Sequence, residues 1–198
     1  MSLLLELEGQ QCPHPRDAQR ASLKLMENDM KNFVAVSLFA MLAATPALAD
    51  GNTNTSNIDQ IGANLVATAT QEGSGNTSVS NIDQGLFGVG DNLLATVTQG
   101  GTDNVQEAHI KQNNSDNTGE ISQGGDGSTN YGFIGQDGIE NEATLTQDGV
   151  GTSNSAEIHQ FGTGGLNVAT VTQGGDANFN VAGVGQNGSG LTATVNQH

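Results

Sequence analysis

Asn141-Glu142-Ala143-Thr144-Leu145-Thr146-Gln147 is a seven-residue unit in which every second side chain belongs to one set. Positions one, three, five and seven read amide, small, branched aliphatic, amide. Positions two, four and six are polar. The frame recurs at 54–60, 65–71, 78–84, 93–99, 106–112, 117–123, 130–136, 154–160, 167–173, 180–186 and 191–197, giving twelve copies. Every copy ends in glutamine: Gln60, Gln71, Gln84, Gln99, Gln112, Gln123, Gln136, Gln147, Gln160, Gln173, Gln186 and Gln197. The first position is Asn at Asn54, Asn117, Asn130, Asn141, Asn154, Asn167 and Asn180, Ser or Gln at Ser78 and Gln106, and Leu at Leu65, Leu93 and Leu191. Alternation of period two is the signature of a strand, and a helix would not set its apolar residues two apart. A repeat this dense fixes the architecture as a stack of similar units.

The linkers group the strands in pairs. After every second unit six residues intervene, and the other linkers run from four to eight, the longest being Gly85 to Asn92. They are rich in Gly, Asn and Asp, which tolerate tight reversals. The chain therefore reads as six two-strand repeats: 54–71, 78–99, 106–123, 130–147, 154–173 and 180–197. Two such strands form either a hairpin or a β-arch, in which they face each other through side chains and bond to the repeats above and below. Position three is always small and position five almost always branched, with Ala69 the exception. In an arch the strands run antiparallel across the core, so three meets five and one meets seven, and small against large fills a thin core. A hairpin meander gives no reason for that complementarity. The expectation is an all-β chain: a β-solenoid of six two-strand β-arch rungs with amyloid-like, cross-β stacking.

Buried amides need partners, because one left unpaired costs about 1–3 kcal/mol. Rungs stacked at about 4.8 Å bring each amide within reach of its neighbours above and below, so the Gln and Asn columns are expected to form ladders. The first and last rungs lack a neighbour on one side, and no capping element is expected after the last one. If subunits stack head to tail, Leu191 of rung six meets Leu65 of rung one. The Leu column, interrupted inside the chain by Asn117, Asn141 and Asn167, would be restored across the joint. Leu65 and Leu191 are therefore the expected polymerisation surfaces.

The first fifty residues have a different character. Met30 to Ala49 shows one Lys, the apolar run Phe33 to Ala44, and Ala47-Leu48-Ala49, a small-x-small site. This is the layout of a secretory signal with cleavage between Ala49 and Asp50, and the run is well short of the ~20 apolar residues that span a bilayer. Residues 1–29 precede that signal and are expected to reflect start-site choice, with translation beginning at Met30. Residues 50–53 form a short leader to the repeats at 54–197. Five of the 21 acidic and four of the five basic residues precede residue 50, which leaves 16 acids against Lys111 alone, a balance of −15. Such a surface does not suit nucleic acid or an anionic membrane as a partner. The one cysteine, Cys12, lies upstream, so no disulfide is expected.

No catalytic, cofactor-binding or metal-binding constellation is expected. His109 and His159 fall on outward positions, and His14, His109, His159 and His198 lack metal-ligand spacing. Gly124-Gly125-Asp126-Gly127 lacks the nonapeptide period of calcium-binding β-rolls and is read as turn chemistry. No cluster pairs a nucleophile with a base.

At these residues the chain resembles the curlin repeat family, the subunits of bacterial extracellular amyloid fibres called curli. The family motif, Ser-x5-Gln-x-Gly-x2-Asn-x-Ala-x-aliphatic-x-Gln, is matched by Gln136, Gly138, Asn141, Ala143, Leu145 and Gln147, with Asn130 in place of the leading Ser. The resemblance covers 54–197. It implies a secreted β-solenoid subunit that polymerises at the cell surface into fibres for biofilm matrix and adhesion. Its implied partners are further copies of itself, a nucleator subunit and an outer-membrane secretion channel. The Ser/Asn and Gln columns are the positions the resemblance marks as important for assembly. Leu65, Leu93 and Leu191 depart from the motif Asn. The leader before Asn54 is shorter than in the family's major subunit. The absence of Lys and Arg from Thr192 to His198 favours a major, fibre-forming subunit over the alternative, a minor nucleating one.

A different class of function is carried by the outward positions. Thr68/Thr70, Thr96/Thr98, Thr144/Thr146 and Thr170/Thr172 give Thr-x-Thr arrays that resemble ice-binding surfaces, broken at Glu120 and Ser122. Thr is also a favourable exposed strand residue. Ice binding is thus the alternative reading.

Overall fold

The computed structural model describes residues 51–85, 90–162 and 164–198. The start-site segment 1–29, the signal 30–49, its cleavage site at Ala49 and Asp50, and parts of the two longest intra-repeat turns lie outside the described residues. Fourteen strands occur among those described: β1 (Thr53–Gln60), β2 (Gly62–Ala63), β3 (Val66–Gln71), β4 (Thr77–Gln84), β5 (Gly90–Asp91), β6 (Leu94–Gln99), β7 (Val105–Ser115), β8 (Thr118–Gln123), β9 (Thr129–Ile139), β10 (Asn141–Gln147), β11 (Ser153–Gly162), β12 (Asn167–Gln173), β13 (Phe179–Asn187) and β14 (Thr192–Gln197).

The first strands of the repeats pair in the order β1-β4-β7-β9-β11-β13, with the short β2 and β5 alongside, and the second strands in the order β3-β6-β8-β10-β12-β14. Every pairing is parallel and joins consecutive repeats. Asn130 pairs with Asn154 and Asn154 with Asn180, while Gln136 pairs with Gln160 and Gln160 with Gln186. The two strands of a repeat lie in different sheets and meet only through side chains. The fold is a β-solenoid of six arched rungs. Because a one-residue slip would turn every side chain to the wrong face, the strict period of the sequence holds the register in phase from end to end.

Between the sheets lies a thin apolar layer in which Ile82, Val97, Ile110, Ile121, Ile134, Leu145, Ile158 and Val171 are buried. Opposite them stand Ala95, Ala108, Ala143, Ala156 and Ala169, also buried. The third position faces the fifth. A Cβ placed on Gly119 would stand 3.1 Å from Ile110 Cγ2, and one on Gly132 only 2.9 Å from Leu145 Cδ2. The smallness of position three is therefore a packing requirement.

The linkers do more than reverse the chain. Ser74, Thr102, Asp126, Val150 and Asp176 form a continuous series of parallel bridges, so the inter-repeat turns are themselves stacked. The strand pairing also runs past the seven-residue frame. β9 continues beyond Gln136 to Ile139, and Glu140 alone, at φ +58°, separates it from β10. Rungs three and four have linkers of equal length, so their backbones superpose and keep pairing through Asn113↔Asp137, Asn114↔Gly138 and Ser115↔Ile139.

Candidate functional site

The features that set this interior apart are its amides. Ten of the twelve frame glutamines are buried, and the other two, Gln60 and Gln197, are half-buried on the end rungs. In the first sheet each Nε2 donates to the Oε1 of the next rung, in the order Gln60, Gln84, Gln112, Gln136, Gln160, Gln186, at 2.6–2.9 Å. In the second sheet the order is Gln71, Gln99, Gln123, Gln147, Gln173, Gln197, at 2.8–2.9 Å. Both ladders point the same way, towards the carboxy-terminal rung.

The second Nε2 proton of each amide crosses the core. From β4, β7, β9, β11 and β13 it reaches the backbone carbonyls of Val66, Leu94, Thr118, Glu142 and Val168 in the rung before, at 2.9–3.1 Å. From the second strands it reaches Thr55, Val79, Glu107, Tyr131, Ser155 and Val181 of the same repeat, at 2.8–3.2 Å. Each glutamine except Gln60 thus links three polypeptide segments. Among the described residues no buried side-chain nitrogen or oxygen lacks a partner, which is how a polar column is tolerated inside an apolar sandwich.

The asparagine columns run in the opposite sense. Asn180 donates to Asn154 Oδ1 at 3.0 Å, and Asn154 to Asn130 Oδ1 at 2.9 Å. In the second sheet Asn167 donates to Asn141 Oδ1 and Asn141 to Asn117 Oδ1, both at 2.9 Å. Six of the seven asparagines are buried; Asn54, on rung one, is exposed. Leu93 is buried beneath this second-sheet column. Leu65 is half-buried on rung one, and Leu191 on rung six is 37% exposed, its backbone N–H on Asn167 Oδ1.

A third polar column went unread in the sequence. Asn52, Asn76, Asn104, Ser128 and Thr152 sit two residues before each first-strand unit, and the last four are buried. Asn76 and Asn104 each accept the next column member's backbone N–H and donate to two turn carbonyls. The signal was present: extending the period by one step places a polar side chain at that offset in all six repeats, Asn178 included.

Outward positions carry a shorter column: Asn57 Nδ2 donates to Asn81 Oδ1 at 2.9 Å, and Asn81 Nδ2 lies 3.1 Å from His109 Nδ1. Thr68 and Thr96 pair across adjacent rungs, as do Thr144, Thr170 and Thr194, with Glu120 between the two groups. On the other face His109 Nε2 lies 2.7 Å from Glu107 Oε1, and the Phe133 ring packs 5.1 Å from that of His159, over Gly135. Burial raises the Tyr131 phenol above its ordinary range, and the carboxylates of Glu157 and Glu107 push it further the same way. Among the described residues no three His, Cys, Asp or Glu side chains come together as a metal site, and no helix is long and apolar enough to cross a membrane.

Residues 115–149 match the family model of the curlin associated repeat. That stretch runs from the end of β7 through β10, and so contains the second strand of rung three, the inter-repeat turn after it and the whole of rung four. No curated protein and no solved structure matches the chain.

Proposed function

We propose, taking membership of the curlin repeat family as the premise, that this chain is a secreted structural subunit that assembles head to tail into extracellular curli-type fibres. The family is one of fibre subunits rather than enzymes. In this reading the signal at 30–49 directs export, cleavage falls between Ala49 and Asp50, and the repeats at 54–197 polymerise at the bacterial surface as biofilm matrix and adhesive. A nucleator subunit and an outer-membrane channel are the partners such a subunit requires.

The observation that carries the reading is the match between the two end rungs. Each interior column, extended by one rung, meets its own kind: Asn180 meets Asn54, Val184 meets Ile58, Gln186 meets Gln60, Ala193 meets Ala67 and Gln197 meets Gln71. Four of the apolar side chains that would be covered are half-exposed now. Ile58, Ala67, Ala193 and Val195 are only partly buried, whereas their interior counterparts are fully so. A solenoid that stays monomeric needs dissimilar, polar ends.

Leu191 tests the joint. Covering it with Leu65 of the next subunit contributes about 1.5–3 kcal/mol, and a carboxylate in its place would be desolvated without a cation. Leu191→Asp is expected to slow elongation by at least roughly tenfold, to leave the subunit soluble, and to end filaments when mixed with wild type. Growth of Leu191→Asp fibres at the wild-type rate, read by dye fluorescence and electron microscopy, would remove Leu191 from the joint.

A further inference from the structure

The amide ladders have a direction, and the backbone fixes it. A carboxamide column is free to run either way if its members touch only one another. Here each Nε2 except that of Gln60 also donates to a backbone carbonyl, such as Thr118 O for Gln136 and Val181 O for Gln197. A carbonyl oxygen accepts and never donates, so turning one amide over would set oxygen against oxygen inside the core. The orientation seen at one rung is therefore imposed on every rung.

At the two ends this leaves unlike surfaces. On rung six, Gln186 and Gln197 each use one N–H on a carbonyl and hold the second with no acceptor among the described residues. On rung one, Gln60 and Gln71 donate to rung two, and their Oε1 atoms accept nothing among the described residues. We infer that the joint between subunits is a directional side-chain hydrogen-bond seam, in which Gln186 and Gln197 of one copy donate to Gln60 and Gln71 of the next. The inference rests on the head-to-tail reading above and adds which end donates. It also gives Gln60 the carbonyl partner it lacks within the subunit. By the pattern of Gln84 on Val66 O, Gln60 Nε2 falls on Thr192 O of the preceding copy. The asparagine column closes in the reverse sense, Asn54 donating to Asn180 Oδ1. Two copies meeting by their rung-six ends would set N–H against N–H. The seam thus admits a second copy in one orientation.

Gln197 is the residue to change, because it is half-buried and its own subunit holds it through an accepted bond from Gln173 at 2.8 Å. Gln197→Glu keeps that acceptor and removes both Nε2 donations, the outward one and the one to the Val181 carbonyl of its own subunit. Gln197→Met loses the same two, so the comparison between the variants isolates the charge that faces the next copy. At neutral pH the carboxylate would face the Oε1 of Gln71 in the next subunit. Below the carboxylate range, near pH 4, the acid regains an O–H to donate. Elongation of Gln197→Glu, always as a ratio to wild type at the same pH, is expected to fall at least tenfold at pH 7 and to return to within about threefold at pH 3. Gln197→Met, which neither donates nor accepts, is expected to grow at an intermediate rate unaffected by pH relative to wild type.

If Gln197→Glu grows as fast as wild type at pH 7 while Gln197→Met is slow, the seam runs the other way, because a carboxylate then accepts from the next copy. If both grow like wild type at both pH values, the head-to-tail joint itself fails. If the two are equally slow and acid does not rescue the glutamate, the contact is one of shape alone and the directional seam is wrong.

Discussion

Gln136→Ala is expected to weaken the assembled state by about 3 kcal/mol or more, while Thr144→Ala stays within roughly 0.5 kcal/mol of wild type. The difference follows from what each side chain holds. Gln136 accepts from Gln112 and donates to Gln160 and to the Thr118 carbonyl. Truncation leaves a donor on Gln112 and two acceptors without partners in a region closed to water, and opens a hole as well. An unsatisfied buried group costs about 1–3 kcal/mol, and three are created at once. Thr144 lies on an outward position with water to replace its hydroxyl. The comparison is read from the denaturant midpoint of mature fibres. Equal midpoints for the two variants would mean that inside and outside have been exchanged.

Gly125→Ala is expected to be as damaging, from a single added methyl. Gly125 has φ +104°, and a Cβ there would run into the Gly149 carbonyl oxygen of the next rung. Gly73, Gly101 and Gly149 stand in the same column, each against the glycine carbonyl one rung on. The left-handed backbone alone costs about 1–3 kcal/mol for a residue with a Cβ, and the clash would have to be relieved by separating stacked turns. Two residues on, Gly127 provides the control. Its φ is +62° and nothing lies within 4 Å of where its Cβ would be. Asp103 and Ala177 hold the equivalent place in other rungs at φ +55° and +53°. Gly127→Asp should therefore assemble like wild type. Fibre yield that is normal for Gly125→Ala, or lost for Gly127→Asp, would contradict the stacking of the inter-repeat turns.

Most of the fold was legible because one period governs it. Once Asn141 to Gln147 was read as a strand with small against large across the core, arch, parallel stacking and register all followed from the same alternation. Gly119 against Ile110 and Gly132 against Leu145 are that rule in its tightest form. What escaped was backbone. Rung-to-rung bonding of the glutamines is visible as a column of identical residues, but the second bond, from Gln147 to the Tyr131 carbonyl, has an acceptor that every residue carries and no sequence marks. The same holds for the pairing of β9 beyond Gln136. Its linker pairs as far as Ile139 with the equally long linker beneath and through Asp137 and Gly138 with the longer one above, a relation between repeats rather than a property of Asp137 to Glu140. The Asn76 and Asn104 column was within reach, yet those residues sit among Gly, Asp and Ser, where an Asn reads as ordinary turn chemistry.

The ice-binding reading and the fibre reading part at one experiment. Protein beginning at Asp50 is incubated at neutral pH, and any fibres formed are aligned for X-ray diffraction. The account predicts fibres whose meridional reflection lies near 4.8 Å, the spacing of hydrogen-bonded strands, with a broader equatorial reflection near 10 Å from the facing sheets. The rungs then continue along the fibre axis from one subunit into the next. Protein that stays monomeric at assembly concentrations and instead depresses the freezing point through its threonine face would contradict it.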